Sequence, residues 1–164
     1  MSKSAVFLDR DGVINLDKGY VYKIDDFIWV DGAIEAIKYL IEKNFYVFVV
    51  TNQSGIARGY YTEHDVVLLH QYINKELEKN GALIHDFYYS PYHPDFPDVY
   101  SNLSNLRKPN TGMLELAAKK WDFKKSQSFL IGDKESDIIC AKRFGIKGYK
   151  FNSSNLNTFV KQIV

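Results

Sequence analysis

Four short strings in this 164-residue chain carry residue types that could do chemistry together. They are Asp9-Arg10-Asp11-Gly12, Thr51-Asn52-Gln53-Ser54-Gly55, Arg107-Lys108-Pro109 and Gly132-Asp133-Lys134-Glu135-Ser136-Asp137. Three carboxylates, Asp9, Asp11 and Asp133, form a hard oxygen donor set of the kind that suits Mg²⁺, which substrate phosphate oxygens commonly complete. A hydroxyl and backbone amides at Thr51-Asn52 can hold phosphate oxygens. Lys108 can neutralise charge on a transferring phosphoryl group. A carboxylate can also attack phosphorus and become an aspartyl-phosphate. Two carboxylates two residues apart, one attacking and one moving protons, suffice for phosphate-ester hydrolysis.

The elements that must position these strings are legible as alternating apolar patterns. Ala5 to Leu8, Phe45 to Val50, Phe87 to Tyr89 and Phe129 to Ile131 read as buried strands. Helical stripes fall at Ile34, Ile37, Leu40 and Ile41, with Asp31 placed to cap them, and at Val66, Leu69, Ile73 and Leu77. The second stripe opens on the capping box Thr62-x-x-Asp65 and ends at Asn80-Gly81. Further helices are expected at Met113 to Trp121, over 135–144 up to Gly145, and over 155–163. Gly148 to Phe151 reads as an edge strand. Strand and helix in alternation predict a three-layer α/β domain with a parallel sheet of about five strands, spanning 1–164. Such sheets bind ligands at the carboxyl ends of their strands, where three of the four strings lie. Two long irregular stretches, 10–30 and 90–110, are expected to serve that site.

Composition excludes other classes. Hydrophobic residues make up 46% and charged residues 25%, the balance of a globular domain rather than a disordered chain. A net charge of +1 gives no electrostatic reason for nucleic acid or an anionic membrane as partner. Cys140 is the single cysteine, so neither an internal disulfide nor a thiolate zinc cluster is available. On a helix it reads as a small core side chain. The apolar run from Phe45 to Val50 is far short of the ~20 residues a membrane helix needs, and the N-terminal run is too short for a signal peptide. The expectation is a cytoplasmic monomer that binds a small phosphorylated metabolite, with no nucleic acid or membrane partner.

Each string alone has a plain structural reading. Asp-x-Asp-Gly makes turns, Lys-Pro starts helices, and Thr-Asn-Gln-Ser-Gly or Gly-Asp-x-x-x-Asp can cap them. What argues for a site is four of them in this order, each at a strand end or helix start. Tyr60-Tyr61 reads equally well as lining the site mouth or as a hydrophobic staple at a helix start.

Together the strings resemble the four motifs of the haloacid dehalogenase (HAD) superfamily of phosphatases. The longer runs Phe7 to Asn15, Gly19 to Val21, Val50 to Gly59, Arg107 to Met113 and Gly132 to Lys134 are similar to its histidinol-phosphatase-like branch, and the likeness extends from about Val6 to Gly148. The resemblance implies a Rossmann-like sheet of order 5-4-1-2-3 without a separate cap domain. It implies Asp9 as nucleophile and Mg²⁺ ligand, and Asp11 as acid/base with its main-chain carbonyl on the metal. Thr51 is implied as the phosphate-binding hydroxyl, Lys108 as the phosphoryl-steadying lysine, and Arg107 as its substrate-binding neighbour. Asp133 is the remaining metal carboxylate. Arg10, Asp17, Lys18, Gly19, Tyr20, Asn52, Gln53, Ser54 and Lys134 match substrate-contacting segments. The implied substrate is a heptose bisphosphate first, then histidinol phosphate, then a nucleic-acid 3′-phosphate. A non-catalytic phosphate-ligand-binding module on the same fold is the alternative of a different class.

One departure stands out. The branch often holds Zn²⁺ in the loop before Arg-Lys-Pro, using three Cys and one His. Here the corresponding segments are Tyr88-Tyr89-Ser90-Pro91-Tyr92-His93 and Ser104-Asn105-Leu106-Arg107-Lys108-Pro109, with no thiol. Zinc is therefore not expected. His93 reads as a loop or substrate-side residue. The loop is expected to be held by its prolines and by aromatics such as Tyr88, Tyr89, Tyr92, Phe96 and Tyr100.

Overall fold

A computed structural model describes residues 2–164. Five parallel strands form one sheet: β1 (Ala5–Leu8), β2 (Tyr46–Asn52), β3 (Asp86–Ser90), β4 (Phe129–Gly132) and β5 (Lys147–Lys150). Their spatial order is β5-β4-β1-β2-β3, which is the order the family resemblance implied. The helices are α1 (Ala33–Glu42), α2 (Glu63–Glu78), α3 (Gly112–Lys120), α4 (Glu135–Phe144) and α5 (Leu156–Lys161).

β1, β4 and the body of β2 read as unbroken apolar runs because both faces of the sheet are covered there, whereas the edge strands β3 and β5 carry polar and half-buried residues. Side chains alternate across the sheet. Val6, Leu8, Val47, Val49 and Ile131 face one way and pack on Ile37 and Leu40 of α1, Leu69 and Ile73 of α2, and Leu156 and Val160 of α5. Ala5, Phe7, Phe48, Val50 and Leu130 face the other way, onto Met113 and Ala117 of α3 and Ala141 and Phe144 of α4. Every side chain of β1 is fully buried, as a central strand requires. Cys140 lies in the second cluster, as a core side chain.

Three details differ from the sequence expectation. Asp31 does not cap α1. Gly32 occupies the capping position in a left-handed conformation, and the Asp31 carbonyl instead accepts the Leu156 N–H at 2.8 Å, which ties the start of α5 to the start of α1. β2 runs two residues further than its apolar run, because Thr51 and Asn52 stay in register with Tyr89 and Ser90 of β3. The 10–30 stretch is not free loop. Leu16 N–H donates to the Ile28 carbonyl and Val30 N–H to the Ile14 carbonyl, both at 2.8 Å, folding the segment back on itself beside the strand ends.

The Thr62–Asp65 capping box at the start of α2 is present in both its hydrogen bonds. Among the described residues, no helix is long and apolar enough to cross a membrane. Among the described residues, no separate cap layer stands over the sheet and its flanking helices.

Candidate active site

β1 ends at Leu8, and its next residue, Asp9, hydrogen-bonds back to β4 through its N–H to the Ile131 carbonyl (3.0 Å). That places its carboxylate at the carboxyl edge of the two central strands. The residue is 7% exposed. Its Oδ1 accepts from the Lys108 ammonium at 2.9 Å and from the Arg10 N–H at 3.0 Å.

Lys108 is 3% exposed, and all the contacts of its ammonium are acceptors. Besides Asp9 it donates to the Val50 carbonyl (2.8 Å) and to Asp137 Oδ1 (2.6 Å). Burial alone would lower its pKa. Asp9 and Asp137 together more than reverse that, so the ammonium is held well above its ordinary value. Asn52, at the end of β2, fixes the backbone of Lys108 twice. Its Oδ1 accepts the Lys108 N–H (2.9 Å) and its Nδ2 donates to the Lys108 carbonyl (3.1 Å).

Asp133 follows β4 directly. Its carboxylate groups with those of Asp9 and Asp137, with a ligand atom of each within 4.8 Å of the others. Asp133 Oδ1 is buried and has no hydrogen-bond partner. Burial first, and then the charge of Asp137, push the Asp9 carboxyl well above the usual carboxylate range, against the opposing pull of Lys108. Three carboxylates around one ammonium leave net negative charge and an orphaned oxygen in a buried setting. A divalent cation would satisfy both.

Two glycines make this packing possible. A Cβ at Gly132 would lie 2.2 Å from the Asp137 side chain, and one at Gly12 would lie 2.2 Å from Asp133 Oδ2, where φ is also +91°. Neither position has room for a side chain.

Asp11 points away from this cluster. Its Oδ1 accepts from Arg10 Nε (3.3 Å) and Nη2 (3.0 Å) and from Asn15 Nδ2 (2.9 Å). Its Oδ2 accepts from Gln53 Nε2 at 2.9 Å and from Arg10 Nη2 at 3.3 Å. Gln53 Nε2 also donates to Thr51 Oγ1 at 2.8 Å, and Gln53 Oε1 accepts the Tyr61 hydroxyl at 2.5 Å. Burial pushes the Tyr61 hydroxyl up to about 12, so it is a donor at neutral pH.

A pocket of about 310 Å³ opens over these groups. Of the residues read from sequence, Asp9, Asp11, Asp17, Gly19, Tyr20, Asn52, Gln53, Ser54, Lys108 and Lys134 line it. The Asp17 side chain accepts the Gly19 N–H (3.0 Å), shaping the turn that brings Tyr20 to the mouth. Thr51 is buried just beneath, bonded to Gln53.

Three of those residues sit elsewhere. Arg10, expected at the substrate, is fully buried, and its guanidinium is taken up by Asp11, the Val21 carbonyl (2.6 Å) and His70 (3.2 Å). Lys18 is exposed and does not line the pocket. Arg107 is half-buried in the 90–110 segment, with Nη1 donating to the Tyr92 carbonyl at 3.4 Å. Close to it, Arg58 stacks on Phe96 (5.3 Å) and meets His93 Nε2 at 3.2 Å, so His93 does belong to the loop. Tyr89 and Tyr100 anchor the same segment on the Ile56–Tyr61–Val66 cluster.

Three pocket residues were not assigned from sequence. Asp137 was visible as the second acid of Gly-Asp-x-x-x-Asp, but that spacing also fits a helix cap, and it does cap α4 by accepting the Lys134 N–H (3.1 Å). Tyr61 lines the pocket and packs in the core beside it, so both of its readings hold. Ser136 has no sequence signal.

Comparison with known proteins agrees with this arrangement. Residues 105–152 match the HAD-hydrolase-like family model. The D-glycero-beta-D-manno-heptose-1,7-bisphosphate 7-phosphatase of Rhodopseudomonas palustris is 42% identical over 163 residues, covering 99% of this chain and 91% of that protein. The D-glycero-alpha-D-manno-heptose-1,7-bisphosphate 7-phosphatase of Campylobacter jejuni is 44% identical over 138 residues, covering 84% of this chain and 76% of that protein. Among solved structures, the D,D-heptose 1,7-bisphosphate phosphatase of B. bronchiseptica, complexed with magnesium and phosphate, superposes with a TM-score of 0.82. That pair is 28% identical and covers 97% of this chain and 86% of the other. Sequence kinship over nearly the whole chain, and a shared fold with the acidic cluster at the sheet edge, place it: the chain belongs to the HAD superfamily of phosphatases, in the family of the heptose-1,7-bisphosphate 7-phosphatases.

Proposed function

We propose that the protein hydrolyses the C7 phosphate of a D-glycero-D-manno-heptose 1,7-bisphosphate, with Mg²⁺, through a phosphoaspartate on Asp9. The observation that carries the reaction is the buried Lys108 ammonium shared by Asp9 (2.9 Å) and Asp137 (2.6 Å) beside the orphaned Asp133 oxygen. The substrate rests on the names of the relatives. Asp9 and Asp133, with the Asp11 carbonyl, would hold Mg²⁺, and Asp137 adds a further carboxylate to that set. When bound, the ion supplies charge neutralisation between the carboxylates and the phosphoryl oxygens.

Lys108 and the Arg10 N–H hold Oδ1 of Asp9 in place. A bond forms from the Asp9 carboxylate to phosphorus as the bond from phosphorus to the C7 oxygen breaks. Asp11 gives its proton to that oxygen, from the less heavily bonded Oδ2. The Asp11 carboxylate then takes a proton from water. That water attacks phosphorus, releases phosphate and regenerates Asp9. Lys108 and Thr51 steady the phosphoryl group, and Asp17, Gly19, Tyr20, Gln53, Ser54 and Lys134 bind the sugar side. The protein works on a small metabolite, as a monomer in the cytoplasm, without a nucleic-acid partner.

The test is phosphate release from both heptose bisphosphate anomers, histidinol phosphate and a 3′-phosphorylated oligonucleotide, with Mg²⁺ or chelator. Asp9→Asn is the blank. Strong Mg²⁺-dependent release from one heptose anomer is expected. Preferential release from histidinol phosphate or the oligonucleotide overturns the substrate. Release that persists in Asp9→Asn overturns the nucleophile.

A further inference from the structure

Arg10 sits next to the attacking residue, yet it cannot reach a substrate. Its side chain is fully buried, with three kinds of acceptor around it. One is the Asp11 carboxylate, met by Nε and Nη2. The second is the Val21 carbonyl, met by Nη2 at 2.6 Å. The third is the imidazole of His70, whose Nε2 lies 3.2 Å from Nη1. A guanidinium only donates, so Nε2 of His70 must present its lone pair, and the ring proton must sit on Nδ1. The imidazole is itself clamped. It stacks on Phe87 of β3 with centroids 4.5 Å apart and planes 17° apart. It is 5% exposed and does not line the active-site pocket. Burial, and then the charge of Arg10, hold its pKa well below the ordinary value, so the ring stays neutral and keeps its acceptor.

We infer that His70 is a positioning residue for Asp11, acting through Arg10: its Nε2 fixes the plane of the guanidinium, and the guanidinium fixes the carboxylate that moves protons. A continuous chain runs from β3 through α2 to the reacting edge of the sheet. Without the imidazole acceptor, Nη1 is left buried and unpaired, a costly state for a charged donor. The guanidinium then turns toward other acceptors. Asp11 Oδ1 loses two of its three donors and keeps only Asn15. The consequence is a defect in proton transfer rather than in binding.

The inference rests on the role given to Asp11 above, and the experiment separates the two. Gln places an acceptor where Nε2 stands, whereas Asn is too short to reach it. His70→Gln and His70→Asn are compared with wild type on the heptose bisphosphate and on p-nitrophenyl phosphate, whose leaving group needs little protonation. Loss of a well-placed acid in His70→Asn should lower kcat/KM on the sugar phosphate about tenfold, with KM within about twofold, while His70→Gln stays within about threefold of wild type. The loss should shrink on the aryl ester. Nitrogen NMR of the imidazole should show Nε2 unprotonated at neutral pH. Equal losses on both esters in both variants, with lowered thermal stability, mark a purely structural histidine and overturn the inference. So does full activity in His70→Asn, or a proton on Nε2. Wild type that is silent on the sugar phosphate but active on the aryl ester overturns the substrate and leaves the NMR result to decide His70.

Discussion

Lys108 concentrates the electrostatics of this site in one residue. It is buried, it is the cation shared by Asp9 and Asp137, and both the Val50 carbonyl of β2 and the side chain of Asn52 hold it in place. Its replacement by Met would leave the carboxylates facing one another. Lys108→Met should cost about 3–5 kcal/mol of stability, the scale for breaking a buried ion pair from one side, and should abolish turnover. Denaturant unfolding and phosphate release check the two halves. Asp11 stands apart from the acidic cluster, so Asp11→Asn should lose turnover by about 10²-fold or more while metal binding is retained, which calorimetry with Mg²⁺ reads directly. His70 links stability to pH. The folded ring is held neutral below its ordinary value of 6.5, whereas the unfolded ring protonates there. The unfolded chain therefore binds the extra proton, and stability falls as pH drops below 6.5, with no effect above it. Between pH 6.5 and 5.5, wild type should lose roughly 1 kcal/mol more than His70→Gln in urea unfolding.

At the scale of elements, strand ends and helix starts do the positioning, and they tolerate different insults. Gly132 ends β4 against the first turn of α4, where a Cβ would meet the Asp137 side chain at 2.2 Å. Gly132→Ala should displace Asp137 from Lys108 and cut kcat more than tenfold, beyond what its effect on melting accounts for. Thr62 caps α2 on an exposed turn away from the pocket. Thr62→Ala should cost about 1 kcal/mol and leave kcat unchanged. Measured together, the pair separates an element boundary that serves catalysis from one that serves folding.

At the scale of the whole molecule, the fold leaves the carboxyl edge of its central strands open to a pocket of about 310 Å³, walled by the 10–30 segment, the residues after β2 and the start of α4, with Lys108 from the 90–110 segment. The net charge of +1 is spread over the chain, while the pocket floor is acidic. A cation that binds only the folded state stabilises it by mass action. Saturating Mg²⁺ should raise Tm by roughly 5–10 °C and chelator should remove the gain. The gain should vanish in Asp133→Asn, whose native carboxylate carries the orphaned oxygen. An unchanged Tm in wild type would count against the metal site.

The sequence alone determined the layer order, the strands and the four strings. Apolar runs of three to six residues must be buried, and polar residues that follow them directly must emerge at one edge. For that reason Asp9 and Asp133 could be named from their places in the chain, while Lys108, which precedes a helix, was named from its motif. Tertiary structure decided what those places do not specify. Arg10 follows a strand as Asp9 does, yet it turns inward, because Asp11, Val21 and His70 offer acceptors that a buried guanidinium needs. Asn52 pins the Lys108 backbone across 56 residues of chain, and Asp137 serves the lysine as well as its own helix. His70 sits on an ordinary amphipathic stripe, and only the packing of α2 on β3 brings it to Arg10. Local pattern reports which face of an element is buried, but partners distant in sequence are set by how the elements pack.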